Sequence, residues 1–477
     1  MIPRGGACPS PLFTLGHGCD IMLTYELKKS PGVPLYEALY RCIRQDILTG
    51  KLTPGQKLPS KRTLCANLEV SKITVEAAYD QLLAEGYIRS VEKVGYFVEE
   101  TEGFPQTASH PALSAPTVPS GIVDLTGGAA DKFPFSVWSR LQRQVMLDLG
   151  EKLLLPMPNR GIPELRQAIA DHLAAFRGMR VDPRNILVGA GTDFLYNLLI
   201  QLLGRDKIYA VEEPGYSKVR KIYGAGGVAC VSAPLDSNGV RLDALRNAQV
   251  LHISPSHHFP TGIVTSRGRR TELLNWAMEA PDRYIIEDDY DSEFRFDAHP
   301  MAAMQSLDRG SRVIYMNTFS KSLAPAIRIS YMVLPEGLME QFQQKLGFYG
   351  CTVPSFEQYT LARFLSEGYF EKHINRMRKL YKARRNRIIQ ILQSCPLTNR
   401  MSIEEQDAGL HFLLKVDTAL SDDALVQRCY DGGIRIQSLS SFYHGPIPGE
   451  FEHCLVVNYS GLKDEDLDRL AEMLGSL

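Results

Sequence analysis

The chain has 477 residues, of which 44% are hydrophobic and 22% charged, the proportions of an ordinary soluble protein with room for two or three domains. Its 53 Lys and Arg nearly balance 54 Asp and Glu, giving a formal net charge of −1. That balance excludes a generally nucleic-acid-coating or membrane-hugging surface but not a local basic face. Nine scattered cysteines form no CxxC pair, the pattern of reduced thiols in a cytoplasm rather than of a disulfide framework. No apolar run approaches the ~20 residues needed to span a bilayer.

Residues 1–21 are rich in Gly, Pro and Cys, lack periodicity and are expected to be disordered, with Met22 as the expected translation start. From residue 34 the spacing of Leu35, Leu39, Ile43 and Ile47 predicts a helix ended by Gly50. A second helix follows the Pro54-Gly55 turn, with Ser60 as its N-cap and Leu64 and Leu68 facing inward. Residues 71–86, SKITVEAAYDQLLAEG, predict a third, capped by Ser71, with Val75, Ala78 and Leu82 inward. Two short strands around Glu92-Lys93 complete the parts of a winged helix-turn-helix over residues 22–100. Helix N-termini present unpaired N–H groups and a positive dipole end to phosphate. Here two such starts carry Ser60, Lys61 and Arg62, and Ser71, Lys72 and Thr74, while Lys93 sits at the tip of the wing.

The stretch LPSKRTLCANLEVSKITVEAAYDQLLAEGYIRSVEKVGYFV resembles the DNA-binding domain of GntR-type bacterial regulators. The resemblance implies that Arg62, Ser71, Lys72 and Thr74 contact a double-stranded operator and that the protein works as a dimer.

Residues 101–120, rich in Pro, Ser and Ala, read as a tether. Beyond them, over 121–477, strands alternate with helices: NILVGAG, KIYAVEEPGY, VLHISPS, RYIIEDDY and RVIYMNTFSK. That alternation predicts an α/β body with a mostly parallel, doubly wound sheet, followed by a smaller α+β C-terminal subdomain. The basic run Arg376 to Arg387 reads as a solvated helix face.

Chemistry concentrates at the expected strand ends, where doubly wound sheets bind ligands. Gly191 and Thr192 open a helix, which brings backbone N–H groups toward an anion. Tyr216 follows a strand, where its ring is placed to stack on a flat cofactor. Asp288 and Tyr290 stand two apart, the spacing of residues on one strand face. Lys321, in NTFSKSLAPAIRISYMV, leaves a buried strand beside Thr318 and Ser320, with Arg328 seven positions on. A Lys in a partly dry pocket attacks an aldehyde, hydroxyls and an Arg fork hold a phosphate monoester, and a carboxylate keeps a pyridine nitrogen protonated. The group that combines those features is pyridoxal 5′-phosphate (PLP). His257 and His258 are adjacent and lack metal-ligand spacing, so no metal site is expected.

Together these segments resemble fold-type I aminotransferases over roughly residues 124–477, and the head-plus-body layout resembles the MocR/GabR-like regulators. The resemblance puts the cofactor phosphate on Gly191, Thr192, Ser320 and Arg328. It puts the ring against Tyr216, the ring nitrogen on Asp288, the ring oxygen on Tyr290 and the aldehyde on Lys321. It also implies a head-to-tail homodimer. Two positions depart from the aminotransferase pattern. Phe259 replaces the usual Asn before Pro260, and Val456, in CLVVNYSGL, stands where an Arg ordinarily clamps the substrate α-carboxylate. Arg435 is the nearest substitute. The expectation is a cytoplasmic, PLP-dependent transcriptional regulator whose body senses PLP or a small amine or amino-acid effector through a Schiff base. The alternative is an active aminotransferase with an appended DNA-binding head.

Overall fold

A computed structural model describes residues 23–25, 27, 34–100, 122–127, 132–294, 302–404 and 409–475, with side chains to residue 470. The expected disordered N-terminal segment, the Met22 start and the whole of the tether lie outside the described residues. The chain divides into two compact units, Met1–Thr117 and Val118–Leu477.

The first unit holds three helices, α1 (Leu35–Leu48), α2 (Lys61–Leu68) and α3 (Lys72–Ala84), then a hairpin of β1 (Ile88–Val91) and β2 (Gly95–Val98). Ser60 Oγ accepts the Thr63 N–H at 3.1 Å and Ser71 Oγ accepts the Thr74 N–H at 3.2 Å. Those two caps satisfy donors that α2 and α3 otherwise leave open. Between them Glu69 adopts a left-handed conformation (φ 52°), which turns the chain sharply from α2 into α3. Leu39, Ile43, Leu64, Val75, Ala78, Tyr79 and Leu82 are wholly buried and form one core. The Tyr79 hydroxyl, inside that core, donates to the Pro59 carbonyl at 2.9 Å.

The second unit begins with β3 (Val123–Asp124), and its large sheet is built from β4 (Ile186–Gly189), β5 (Ile208–Glu213), β6 (Ala229–Asp236) and β7 (Gly239–Val240). It continues with β8 (Val250–Ile253), β9 (Tyr284–Asp288), β10 (Val313–Thr318) and β11 (Ser330–Val333). Their spatial order is β4-β11-β10-β9-β8-β5-β6-β7. β5, β6, β8, β9 and β10 run parallel, and β11 is antiparallel to both its neighbours. Alternate strand residues feed two cores: Ile186, Val188, Tyr315 and Tyr331 on one face, Leu187, Ile286, Ile314 and Met332 on the other. Burial on both faces is why these strands read as unbroken apolar runs.

The smaller subdomain adds β12 (Met401–Glu404), β13 (His411–Val416), β14 (Ile434–Arg435), β15 (Gln437–Ser438) and β16 (Cys454–Asn458). β12, β13, β16 and β15 form an antiparallel sheet, while β14 pairs with β3. Glu213, at the end of β5, accepts the His444 and Gly445 N–H groups at 2.7 Å each and ties this subdomain to the large sheet.

The basic run departs from expectation. It lies on the Tyr369–Ser394 helix, but Arg384 and Arg385 are buried there and Arg378 donates to the Glu293 carbonyl at 2.6 Å. Only part of the run, including Arg376 and Arg387, faces solvent. Helical periodicity carries a 12-residue run around every face, so some of its cations must turn inward.

Both tryptophans, Trp138 and Trp276, lie in the second unit. Leu82→Ala is therefore expected to cost the head about 3 kcal/mol. In urea, part of the circular dichroism signal should unfold earlier while the tryptophan fluorescence transition stays in place.

Candidate functional site

Register in the large sheet gathers the site at one edge. Gly189 pairs with Ser330, Ser330 with Thr318, and Met316, two residues before Thr318, with Asp288. The carboxyl ends of β4, β9 and β10 and the chain entering β11 thus converge.

Lys321 sits in the single helical turn Phe319–Ser322 directly after β10. Thr318 caps that turn: its Oγ1 accepts the Ser320 N–H at 3.1 Å and the Ser330 hydroxyl at 2.8 Å. Its hydroxyl is therefore committed to positioning the turn. The Lys321 side chain is open to solvent, yet protein atoms crowd its amine, and that desolvation lowers its pKa against the pull of Asp291. Among the described residues no group hydrogen-bonds the amine. The open rim and the crowded base are both real, since a residue at the bottom of a cleft meets water and low dielectric together.

Asp288 ends β9 and is buried. Its Oδ2 accepts the Tyr196 hydroxyl at 2.5 Å and lies 3.5 Å from His252 Nε2, while His252 Nδ1 meets the Tyr223 hydroxyl at 2.7 Å. Its Oδ1 is buried and, among the described residues, has no hydrogen-bond partner. Tyr290 follows the end of the strand and lies in a turn, so the strand-face spacing does not itself explain its placement beside Asp288. Its hydroxyl lies 3.3 Å from His257 Nδ1, and burial, reinforced by Asp291, raises its pKa well above that of a free phenol. His257 Nδ1 is also 2.8 Å from Asp291, whereas His258 turns to Thr261 at 2.7 Å. The two adjacent imidazoles thus serve different neighbours.

An anion cradle lies at the start of the Thr192–Leu203 helix. Gly191 (φ 88°) adopts a backbone conformation that favours glycine, and a Cβ there would displace the Arg328 guanidinium. Arg328, itself left-handed at φ 51°, reaches Asp193 Oδ2 at 3.2 Å, and Lys218 reaches the same oxygen at 2.6 Å. Burial works to raise the Asp193 carboxyl, but Lys218 and Arg328 outweigh it and hold it below the usual range. Ser320 Oγ is buried and unpartnered. Free N–H groups of a first helical turn, an Arg fork and an unengaged hydroxyl form a set suited to a phosphate.

The opposite wall is apolar. Tyr216 is 53% exposed and meets Phe259 edge-on, with ring centroids 6.1 Å apart. Phe259 also packs on His411 at 5.1 Å and Phe442 at 5.2 Å. Val456 pairs with Leu413 across β13 and β16 and is buried in the same cluster as Phe442, Leu439 and Cys454. Arg435 supplies no replacement cation there, since it is paired with Asp124 at 3.2 Å on β14.

In the head, Arg62 and Lys72 are exposed, as is Lys93 at the hairpin tip with φ 61°. Lys61 differs: its amine lies 3.3 Å from Asp80 and over the Tyr96 ring at 5.4 Å, so it braces α2 against α3 and the hairpin. Thr74 shares a 2.8 Å hydroxyl contact with Ser71 and is only partly open.

Neither Tyr196 nor His252 stands out in the sequence, although both hold Asp288. The available signals were slight. His252 is the one polar residue in the buried strand VLHI, and Tyr196 stands one helical turn beyond Thr192. Among the described residues no helix is long and apolar enough to cross a membrane.

Comparison with known proteins gives the same division. Residues 35–98 match the gntR family of bacterial regulatory proteins, and residues 120–474 match aminotransferase class I and II. The chain is 37% identical over 457 residues to the HTH-type transcriptional regulator YhdI of Bacillus subtilis, covering 93% of this chain and 96% of that protein. It is 34% identical to the probable rhizopine catabolism regulatory protein MocR of Rhizobium meliloti, over 88% of this chain and 90% of that one. It is 31% identical to the pyridoxine biosynthesis transcriptional regulator PdxR of Corynebacterium glutamicum, over 84% and 87%. Among solved structures, kynurenine aminotransferase from Pyrococcus horikoshii matches with a TM-score of 0.65 and 25% identity, over 75% of this chain and 92% of that one. The chain therefore belongs to the MocR/GabR-like family of HTH-type transcriptional regulators, in which a GntR-type DNA-binding head is joined to an aminotransferase-like body.

Proposed function

We propose that residues 121–477 bind PLP at Lys321, and that filling this site, or its response to a small amine, sets the affinity of the head for its operator. The observation that carries the reading is Asp288 Oδ1, a buried carboxylate oxygen with no partner among the described residues. An uncompensated buried charge is costly, and a pyridinium N–H is the donor that would complete it. PLP would supply an aldehyde that condenses with amines and a ring that withdraws electrons. Tyr196 and His252 fix the carboxylate, Tyr290 is available to the ring oxygen, and Tyr216 is free to turn onto the ring face. Gly191, Thr192, Ser320 and Arg328 would hold the phosphate. The kynurenine aminotransferase structure was solved in complex with PMP, which supports a pyridoxal-type ligand for this body by analogy.

In the head, Arg62, Ser71, Lys72, Thr74 and Lys93 would contact DNA, with Ser60 and Lys61 holding α2 in place. Residues 101–120 would act as the tether. A homodimer is supported by the exposure of Leu154 and Phe348, 76% and 77%. Large apolar side chains so open to water favour cover by a second copy of the chain. Effector control requires that the ligand bind two states of the protein unequally, and that DNA alter ligand affinity by the same factor.

Val456 in an apolar wall disfavours full transamination of an α-amino acid, because a valine makes no charge-assisted pair with a carboxylate. The effector side of the site therefore suits PLP itself or an amine without an α-carboxylate.

Three outcomes follow. Lys321→Ala, mixed with PLP and then freed of unbound cofactor, should lack the aldimine absorbance while its head still binds operator; a retained chromophore would mean another lysine is used. In the wild type, the rate of chromophore formation should rise with pH as Lys321 loses its proton. Because burial lowers that pKa, the rise should be half complete below the ordinary lysine value of 10.5; a midpoint at or above it would refute the buried-amine reading. In spectral titrations of the PLP-loaded protein, alanine should bind no more tightly than ethylamine. A tenfold preference for alanine, about 1.4 kcal/mol, would restore a carboxylate clamp and with it the transaminase reading.

A further inference from the structure

Ile73 is 77% exposed, and among the described residues no large apolar side chain is more open. It is the second residue of α3, between Lys72 and Thr74. Val75, Ala78, Tyr79 and Leu82 bury the opposite side of that helix in the head core. At 3.6 residues per turn the outward face is therefore formed by Ile73, Glu76, Ala77 and Asp80. Its two acids are already engaged, Glu76 with Lys72 at 3.5 Å and Asp80 with Lys61 at 3.3 Å. Over residues 72–79, KITVEAAY, the helix carries no Arg, Asn or Gln. The forked hydrogen bonds by which those side chains read guanine or adenine are thus absent from its first two turns.

We propose that Ile73 reads the 5-methyl group of a thymine in the major groove and is a principal source of sequence preference in the head. A GntR-type head places this end of α3 against DNA, and an exposed branched hydrocarbon there meets one apolar group on the base edges, the thymine methyl. The capped helix start would face phosphate, and Lys72, paired with Glu76 at 3.5 Å, would add backbone contacts that orient the helix. Hiding about one methyl group from water favours thymine over its demethylated analogue three- to fivefold.

The test uses full-length protein loaded with PLP and an operator selected from a random duplex library. Each thymine is replaced singly by deoxyuridine, which removes the methyl group and keeps the pairing edge. Binding is followed by fluorescence anisotropy at one salt concentration. In the wild type, one position per half-site should lose three- to fivefold affinity. Ile73→Ala, first shown by circular dichroism to retain its helices, should bind thymine and deoxyuridine equally at that position. Lys72→Ala should weaken every duplex alike and keep the discrimination. Indifference of the wild type at every position, an operator without thymine in the half-site, or an Ile73→Ala variant that still prefers thymine overturns the proposal.

Discussion

A single buried carboxylate organises the body. Asp288 is taken out of water at the end of a central parallel strand, and a polar group so placed needs partners on both oxygens. The described residues provide for one oxygen only, through Tyr196 and His252, each held from a different element. Their own support runs deeper, to Tyr223 behind the imidazole. The sheet fixes the backbones of Asp288 and His252, and the Thr192–Leu203 and Ser217–Ala225 helices carry Tyr196 and Tyr223 to them. The same register that sets Asp288 also sets Thr318, and through it the turn that carries Lys321.

The cleft has two walls of unlike chemistry. One is polar and positive, built from a helix start, a hydroxyl and an arginine; the other is a cluster of Phe259, Phe442, Leu439 and Val456. An aminotransferase needs one cation for the cofactor phosphate and another for the substrate carboxylate. This body has residues suited to the first on one wall and hydrocarbon on the other. Such a division fits a protein that holds a ligand to report on it better than one that turns substrate over.

Much of this was legible in the sequence, for identifiable reasons. Strands buried on both faces leave continuous apolar runs, and helix caps such as Ser60 and Ser71 leave a local signature. The strand-end residues Lys321, Asp288 and Arg328 fall inside dense polar segments that interrupt those runs. What could not be read depended on partners remote in the chain. Thr318 looks like a free hydroxyl until Ser330 is brought beside it by an antiparallel neighbour. Lys61 looks like a phosphate contact until α3 delivers Asp80. Arg384 and Arg385 look solvated until the helix that bears them is packed. Tyr196 and His252 matter only through a carboxylate 92 residues from the tyrosine.

Asp193 gives the cradle a further property. One of its oxygens bridges Lys218 and Arg328, so a carboxylate of the chain itself faces both cations of the cradle. Lys218 rides on the Ser217–Ala225 helix and Arg328 precedes β11, so the two charges come from separate elements held to a common counter-ion. An anion drawn to the cradle would compete with Asp193 for both, which makes the strength of that internal pairing a setting for anion affinity.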